Sequence, residues 1–158
     1  MRRFTPLELA IGVSLLGSVA AVAVPAFVRD LHASRFVEPT EGLARLGASA
    51  ISFAEETARY PDSAPLTPAT PPRGKKDVDP PGTWDHPTWI ALDFRASPES
   101  VPHAYSFELE STGSGFVARA RGDLDGDGIL STFEVKSAAP NGEGRSLEPG
   151  MYIAAELE

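Results

Sequence analysis

The sequence predicts an α+β protein in which a long N-terminal helix precedes a C-terminal antiparallel sheet. Residues 9–28 form an uncharged run of about 20 residues, which is the length that a helix needs to cross a bilayer. Residues 43–57 repeat apolar side chains at helical spacing. From residue 88 onward, short runs alternate apolar and polar side chains, as half-buried strands do. A helical half followed by a strand half is typical of the α+β class.

The composition excludes several classes of function. The 158 residues include 22 acidic and 14 basic side chains, and the formal charge is -8, so the chain offers no basic stripe for a nucleic-acid partner. Cysteine is absent, which excludes disulfides, thiolate nucleophiles and cysteine zinc sites. The histidines are scattered, and we expect them to be ordinary packed or surface residues. Because no nucleophile elbow, P-loop or HExxH motif occurs, we expect no enzyme.

Glu8 stands at the head of the apolar segment, where a charge is costly and needs a partner. Arg2 and Arg3 precede the segment, so the N-terminus should stay in the cytoplasm and the rest of the chain outside. A secretory signal peptide fits poorly, because the segment is long and begins with Glu8. A plain membrane anchor gives no reason for the carboxylate. The segment has no lysine or arginine, so we expect the partner of Glu8 to come from elsewhere.

The stretch F-T-P-L-E-L, the apolar run after it and V-P-A-F resemble the class III signal of type IV pilins and the related secretion pseudopilins. The resemblance implies that a prepilin peptidase cuts between Arg3 and Phe4 and methylates the new amine. Residues 1–3 would then be the leader, and Glu8 takes the place of the family's glutamate, the fifth mature residue. Pro25 falls at the family's helix-kinking proline. Arg3 stands where the family nearly always has glycine.

The resemblance implies a structural subunit, major or minor, of a type IV pilus-like filament. The carboxylate of Glu8 would pair with the amine of a neighbouring subunit. Its partners would be copies of itself or other pilins in a helical filament, the prepilin peptidase and the inner-membrane assembly platform. The chain would cross the inner membrane once, and after assembly it would lie in an extracellular pilus or a periplasmic pseudopilus. Two alternatives stay open: a type II secretion pseudopilin, and a membrane-anchored calcium-binding module that does not polymerise.

Two helical segments are expected in the N-terminal half. Residues 4–28 should form the transmembrane and assembly helix, and residues 29–60 an amphipathic helix that packs on the sheet. Pro39 and Gly42 should weaken the helix where they occur, because both residues have a low helix propensity.

The remaining residues are expected to form a loop and a sheet. Residues 61–87 are rich in proline and should lack regular structure. Trp84 and Trp89 should pin this loop onto the domain. Residues 88–158 should form the sheet. Its strands are expected at residues 89–92, 105–110, 116–121, 129–135 and 151–157.

The run D-L-D-G-D-G-I-L-S-T-F-E at residues 123–134 matches the twelve-residue calcium loop in its acids, its central glycine and its final glutamate. A D-G-D-G hairpin turn between two strands is the alternative. Flanking helices are not predicted, so we expect no intact EF-hand. A strand over residues 129–134 would carry the final glutamate away from the ion. The expected calcium ligands are Asp123, Asp125, Asp127, a backbone carbonyl near Ile129 and Glu134.

The acidic turn also resembles turns in the C-terminal sheets of myxobacterial pilin-like proteins. Some pseudopilins hold calcium in that region, and the resemblance implies Asp123, Asp125 and Asp127 as the matching residues here. Because the chain has no disulfide, a metal ion would be a suitable way to hold the C-terminal loops together.

Overall fold

A computed structural model describes residues 5–138 and 145–154 of the chain. For residues 28–34 it describes the backbone alone. The predicted processing residues, Arg3 and Phe4, lie outside the described residues.

The first unit, Met1–Phe36, contains one helical segment that is long and apolar enough to cross a membrane or to act as a signal sequence, Pro6–Phe27. Its apolar side chains are exposed, and Leu16 has 73 % of its surface accessible. The segment belongs to helix α1 (Pro6–Thr57), which begins in the first unit and ends in the second. A long exposed apolar surface of this kind marks a contact with a membrane or with other proteins.

Helix α1 continues through Pro39 and Gly42, so the predicted weakening of the helix there is wrong. Proline removes one backbone N–H from the helical ladder, but the Pro39 side chain is fully buried and packing offsets this loss. Gly42 is also buried, and the ring of Phe107 lies where a Cβ of Gly42 would be. Tertiary packing thus overrides low helix propensity. The helix ends at Thr57, after which Ala58 adopts a left-handed φ of 59°.

The second unit, Val37–Glu158, contains a five-stranded antiparallel sheet in the order β1-β2-β3-β4-β5 among the described residues. Each strand pairs with its neighbour in the chain, so the sheet is a meander. A helical half followed by an antiparallel sheet confirms the predicted α+β class. The elements after α1 are β1 (Ala64–Thr67), α2 (Pro87–Ala91), β2 (Tyr105–Ser111), β3 (Phe116–Gly122), β4 (Ser131–Lys136) and β5 (Tyr152–Ala154).

The prediction that residues 61–87 lack regular structure is wrong, because β1 lies within them. β1 pairs with β2 and places Thr67 opposite Phe107. It is an edge strand, and an edge tolerates Pro65 because only one side of the strand needs ladder hydrogen bonds. The proline content of this segment therefore gave no sign of β1, which is stabilised by pairing with β2.

The predicted strand at residues 89–92 is also wrong, because the short helix α2 occupies this place. Pro87 at the start of α2 suits the first turn, where a backbone N–H needs no helical partner. The side chain of His86 accepts a hydrogen bond from the backbone N–H of Thr88 and caps the helix. An apolar run of four residues does not distinguish strand from helix by its spacing, and these caps decide the outcome.

The core of the second unit lies on one face of the sheet. Strand β3 alternates buried and half-buried residues along its whole length, and Tyr105, Phe107 and Leu109 of β2 are buried. The alternation predicted for residues 116–121 is therefore confirmed, and that for residues 105–110 holds except at Ser106, which is also buried. Apolar residues of α1 complete this core, and they are Leu43, Leu46, Ala50 and Ala54.

Trp84 and Trp89 attach the proline-rich segment to the rest of the second unit, as predicted. Trp89 is buried, and its indole Nε1 donates to Oγ1 of Thr67 at 2.8 Å. The ring of Trp84 lies 5.6 Å from that of Trp89 and 5.8 Å from that of Phe94, measured between centroids. Edge and tilted contacts of this kind are the geometries that aromatic pairs prefer.

Candidate functional site

Thr5 and Glu8 cap the N-terminus of α1. The backbone N–H and the hydroxyl of Thr5 both donate to Oε2 of Glu8, at 2.7 and 3.0 Å. The N–H of Glu8 donates to Oγ1 of Thr5 at 3.3 Å. This reciprocal pattern is a capping box, which satisfies donors that have no partner within the helix. Thr5 thus satisfies part of the hydrogen-bonding capacity of Glu8 but does not neutralise its charge, and a charged partner from elsewhere stays a prediction.

Pro25, the second predicted assembly residue, lies exposed within α1. Helix α1 continues past it, although a proline in a helix interior lacks the N–H that closes the preceding turn. The cleavage site between Arg3 and Phe4 lies outside the described residues and stays a prediction.

The loop between β3 and β4 brings three carboxylates together. One oxygen from each of Asp123, Asp125 and Asp127 lies within 4.8 Å of the others. Each of these residues accepts a backbone N–H from further along the loop through Oδ1, the donors being Gly126 at 2.8 Å, Asp127 at 3.1 Å and Ile129 at 2.7 Å. The local hydrogen bonds fold the loop so that three negative groups converge, and a hard cation would relieve their repulsion.

The ends of this loop form a hairpin. Ser131 lies opposite Gly122 in the strand register, and its hydroxyl donates to the Gly122 carbonyl at 3.1 Å. Gly126 and Gly128 have φ angles of 85° and 95°, which favour glycine over other residues. The loop joins two strands, so the backbone is the hairpin of the alternative reading and not an EF-hand.

Asp123 is the buried member of the acidic loop, with 1 % of its surface exposed. Its Oδ2 has no hydrogen-bond partner in the part of the chain that the structure describes. The Nε of Arg73 lies 3.6 Å from that oxygen, which is an ion pair without a hydrogen bond. A buried carboxylate oxygen without a donor is costly. The three aspartates could therefore hold a metal ion, and oxygen ligands suit a hard cation.

Glu134 does not join the acidic loop. It lies on β4, opposite Arg119, and its Oε2 accepts from the Arg119 Nε at 2.6 Å. Strand residues rise about 3.4 Å each, so Glu134 is carried roughly 10 Å along β4 from Ser131. Ile129 is exposed, and its backbone N–H donates to Oδ1 of Asp127. A carbonyl ligand near Ile129 stays a prediction.

Glu38, which no sequence pattern singles out, joins α1 to two other segments. Its Oε1 accepts the backbone N–H groups of Ala104 and Tyr105 at 2.6 and 3.0 Å. Its Oε2 pairs with Nζ of Lys76 at 2.9 Å. A partner more than thirty positions away leaves no local pattern, so no signal in the sequence could have identified this role.

His103 is buried, as expected for a packed histidine. Its Nε2 lies 2.8 Å from Oδ2 of Asp79, and its Nδ1 lies 2.9 Å from the carbonyl of Tyr105. The indole of Trp84 donates to the same Asp79 oxygen at 2.6 Å. These contacts tie the proline-rich segment to the start of β2.

Two features thus carry chemical consequences: an exposed apolar helix with a carboxylate at its head, and an acidic hairpin loop that suits a hard cation. The first can associate with a membrane or with other helices. The second can connect neighbouring segments through a metal. Comparisons of the chain with protein-family models, with curated proteins and with solved structures give no match.

Proposed function

We propose that the protein is a structural subunit, major or minor, of a type IV pilus-like filament. The observation that carries the proposal is the apolar segment Pro6–Phe27, which is exposed in the first unit and has Glu8 at its head. A filament core, in which apolar helices of many subunits pack together, would bury such a surface. The F-T-P-L-E-L pattern and Pro25 support the same family of filaments.

The mechanism of docking follows from the position of the carboxylate. Cleavage before Phe4 leaves a positive amine, and a charge in an apolar surrounding is far less costly when it is paired. Both hydrogen bonds from Thr5 go to Oε2 of Glu8, and no described residue donates to Oε1. Oε1 can accept from the amine of a neighbouring subunit while Oε2 keeps the cap. Capping and docking are therefore compatible.

A type II secretion pseudopilus would use the same docking step, so it stays the nearest alternative within this function. A membrane anchor that does not polymerise is the other alternative. The capping box accounts for Glu8 in either case, because it operates within one chain. The presence of Glu8 alone does not distinguish an anchor from a filament subunit, and its charge must be tested.

Glu8→Gln separates the capping role of Glu8 from its charge-pairing role, because glutamine preserves a capping box and removes the charge. We expect this variant to insert in the membrane but to assemble roughly tenfold less or worse, since a pair worth about 1.4 kcal/mol corresponds to that factor. Thr5→Ala is the matched control, because it removes the two hydrogen bonds of the Thr5 hydroxyl and keeps the carboxylate. The amount of subunit in sheared filaments, at equal expression, measures assembly. Parent-like assembly of Glu8→Gln would exclude the charge-pairing mechanism.

The second proposed role is calcium binding by the acidic loop. The buried Oδ2 of Asp123, which lacks a hydrogen-bond donor among the described residues, favours it, together with the convergence of Asp125 and Asp127. A bound calcium ion would supply positive charge and coordinate carboxylate oxygens. Asp123 would hold the ion from the buried side, and the two exposed carboxylates would close over it. A bound ion would hold the β3–β4 hairpin together in a domain that has no disulfide.

A further inference from the structure

We propose that Arg73 is a resident counter-cation of the acidic loop and that a divalent ion displaces it. This inference rests on the proposed calcium site. Arg73 lies on the proline-rich segment, and its Nε is 3.6 Å from Oδ2 of Asp123, the buried oxygen that lacks a hydrogen bond. Arg73 therefore supplies a positive charge where a metal ligand is expected.

The backbone holds Arg73 in this position. Arg73 forms a parallel bridge with Asp123, and the N–H of Gly74 donates to the Asp123 carbonyl at 2.8 Å. A Cβ on Gly74 would lie 3.3 Å from the carbonyl oxygen of Asp125. Gly74 also has a φ of 61°, which other residues adopt rarely. The two segments are packed closely here, so the start of the Arg73 side chain is fixed beside the loop.

The guanidinium group of Arg73 can move away from Asp123, although the backbone of Arg73 is held in place. The side chain of Arg73 is 66 % exposed, whereas that of Asp123 is 1 % exposed. Calcium binds carboxylate oxygens at about 2.3–2.6 Å, which would bring its charge close to the guanidinium on the same oxygen. Like charges at that distance repel, and a long exposed arginine side chain can turn into water. Displacement therefore needs no change in the strands.

Other basic residues of the same segment are engaged elsewhere. Lys75 pairs with Asp77 at 3.3 Å, and Lys76 pairs with Glu38 at 2.9 Å. Among the ion pairs of the described residues, Arg73 is the cation that reaches the acidic loop. Arg73 thus competes with a metal ion for the carboxylates of the loop. The affinity of the loop for metal should therefore be lower than the three carboxylates alone would give.

Calorimetric titration of the full chain with calcium chloride, in a non-ionic detergent at fixed ionic strength, tests the inference. Arg73→Gln should bind calcium about tenfold more tightly than the parent, because the competing charge is gone. Arg73→Lys should stay within about threefold of the parent, since it keeps that charge. Arg59→Gln is the matched control, because Arg59 is also exposed and pairs with a different acid, Asp62. Its affinity should equal that of the parent.

A second readout does not depend on affinity. The Nε–H resonance of Arg73 should move toward that of a solvated arginine when calcium is added, and the Arg59 resonance should not move. Equal or weaker calcium binding by Arg73→Gln, in a variant that keeps the parent's melting transition in chelator, would overturn the inference and leave the metal site intact. Absence of calcium binding in every variant, Arg73→Gln included, would overturn both the inference and the proposed site.

Discussion

Arg119 donates through Nε to Oε2 of Glu134 at 2.6 Å, between residues that lie directly opposite each other on β3 and β4. Nη1 of Arg119 pairs with Glu110 at 2.9 Å, and Lys136 pairs with Glu134 at 3.0 Å. Burial raises the pKa of Glu134, but the hydrogen bonds from Arg119 and Lys136 outweigh burial and leave that pKa below its ordinary value. Glu134 thus stabilises the sheet and is not placed to bind a metal in the loop.

We expect Glu134 to make the fold sensitive to acid. A carboxylate with a lowered pKa in the folded state stabilises the fold above its unfolded-state pKa of 4.5 and loses this contribution as pH falls through the folded-state value. Glu134→Gln should lower the free energy of unfolding at neutral pH by about 1–2 kcal/mol. It should also weaken the fall in stability below pH 4.5. Chemical denaturation at several pH values measures both effects.

Glu99→Gln is the control for this prediction. Glu99 pairs with Arg95 at 3.1 Å, but its side chain is 86 % exposed. An exposed pair of this kind contributes about 0.5 kcal/mol or less. If both variants lost the same stability and kept the parent's pH profile, the role given to the Arg119–Glu134 pair would be wrong.

Calcium should raise the melting temperature of the full chain in non-ionic detergent. A ligand that binds only the folded state stabilises it by about 2.7 kcal/mol at a hundred times its dissociation constant. Asp125→Asn should remove this effect, because it keeps the shape of the loop and takes away one charge. Asp85→Asn, a change at another exposed acid, should keep the effect, as should Glu134→Gln.

Magnesium should raise the melting temperature less than calcium does, since it demands stricter octahedral geometry. A difference between calcium and chelator that persists in Asp125→Asn would show that the ion acts elsewhere. Equal melting of the parent in calcium and in chelator would leave only a hairpin turn at this place.

Gly42→Ala should destabilise the second unit. The added methyl group would meet the ring of Phe107, and alanine's better helix propensity would offset only part of the cost. We expect the free energy of unfolding to fall by about 1–3 kcal/mol, the usual range for overpacking. Thermal or chemical unfolding of the full chain measures the change.

Gly12→Ala is the control, because a Cβ there has nothing within 4 Å. Its unfolding transition should match that of the parent. A Gly42→Ala variant as stable as Gly12→Ala would mean that the Phe107 ring can move aside without cost, contrary to the close packing of α1 on β2.

Processing should leave Phe4 as the first residue of the mature chain. The F-T-x-x-E spacing motivates this expectation. Mass spectrometry of membrane and sheared fractions should find an N-methylated Phe4 terminus. A mature chain that begins at Met1, or that is cut after Ala23 or Ala26, would contradict the filament proposal. The same digest supplies a control, because an internal peptide shows that both fractions contain the protein.

The sequence by itself determined the elements whose spacing repeats. Alternation in residues 105–110 and 116–121 predicted β2 and β3, because every second side chain of a strand faces the core. The uncharged run at residues 9–28 predicted a helix long and apolar enough to cross a membrane, since length and polarity decide this, and Pro6–Phe27 is such a helix. The acidic cluster of Asp123, Asp125 and Asp127 was also visible in the sequence, because the spacing of the three residues is local.

Only the tertiary structure decided the features in which remote residues take part. Helix α1 passes Pro39 and Gly42 unbroken because burial and the Phe107 ring outweigh their low helix propensity. β1 exists because β2 offers it an edge.

The charges near the acidic loop follow the same rule. Glu134 faces Arg119 and not the loop, because the register of β3 and β4 places it there. Arg73 meets Asp123 because the chain folds back over the end of β3. Each outcome depends on a partner far away in the sequence, and the energy of such a contact exists only once the chain has closed the intervening loop.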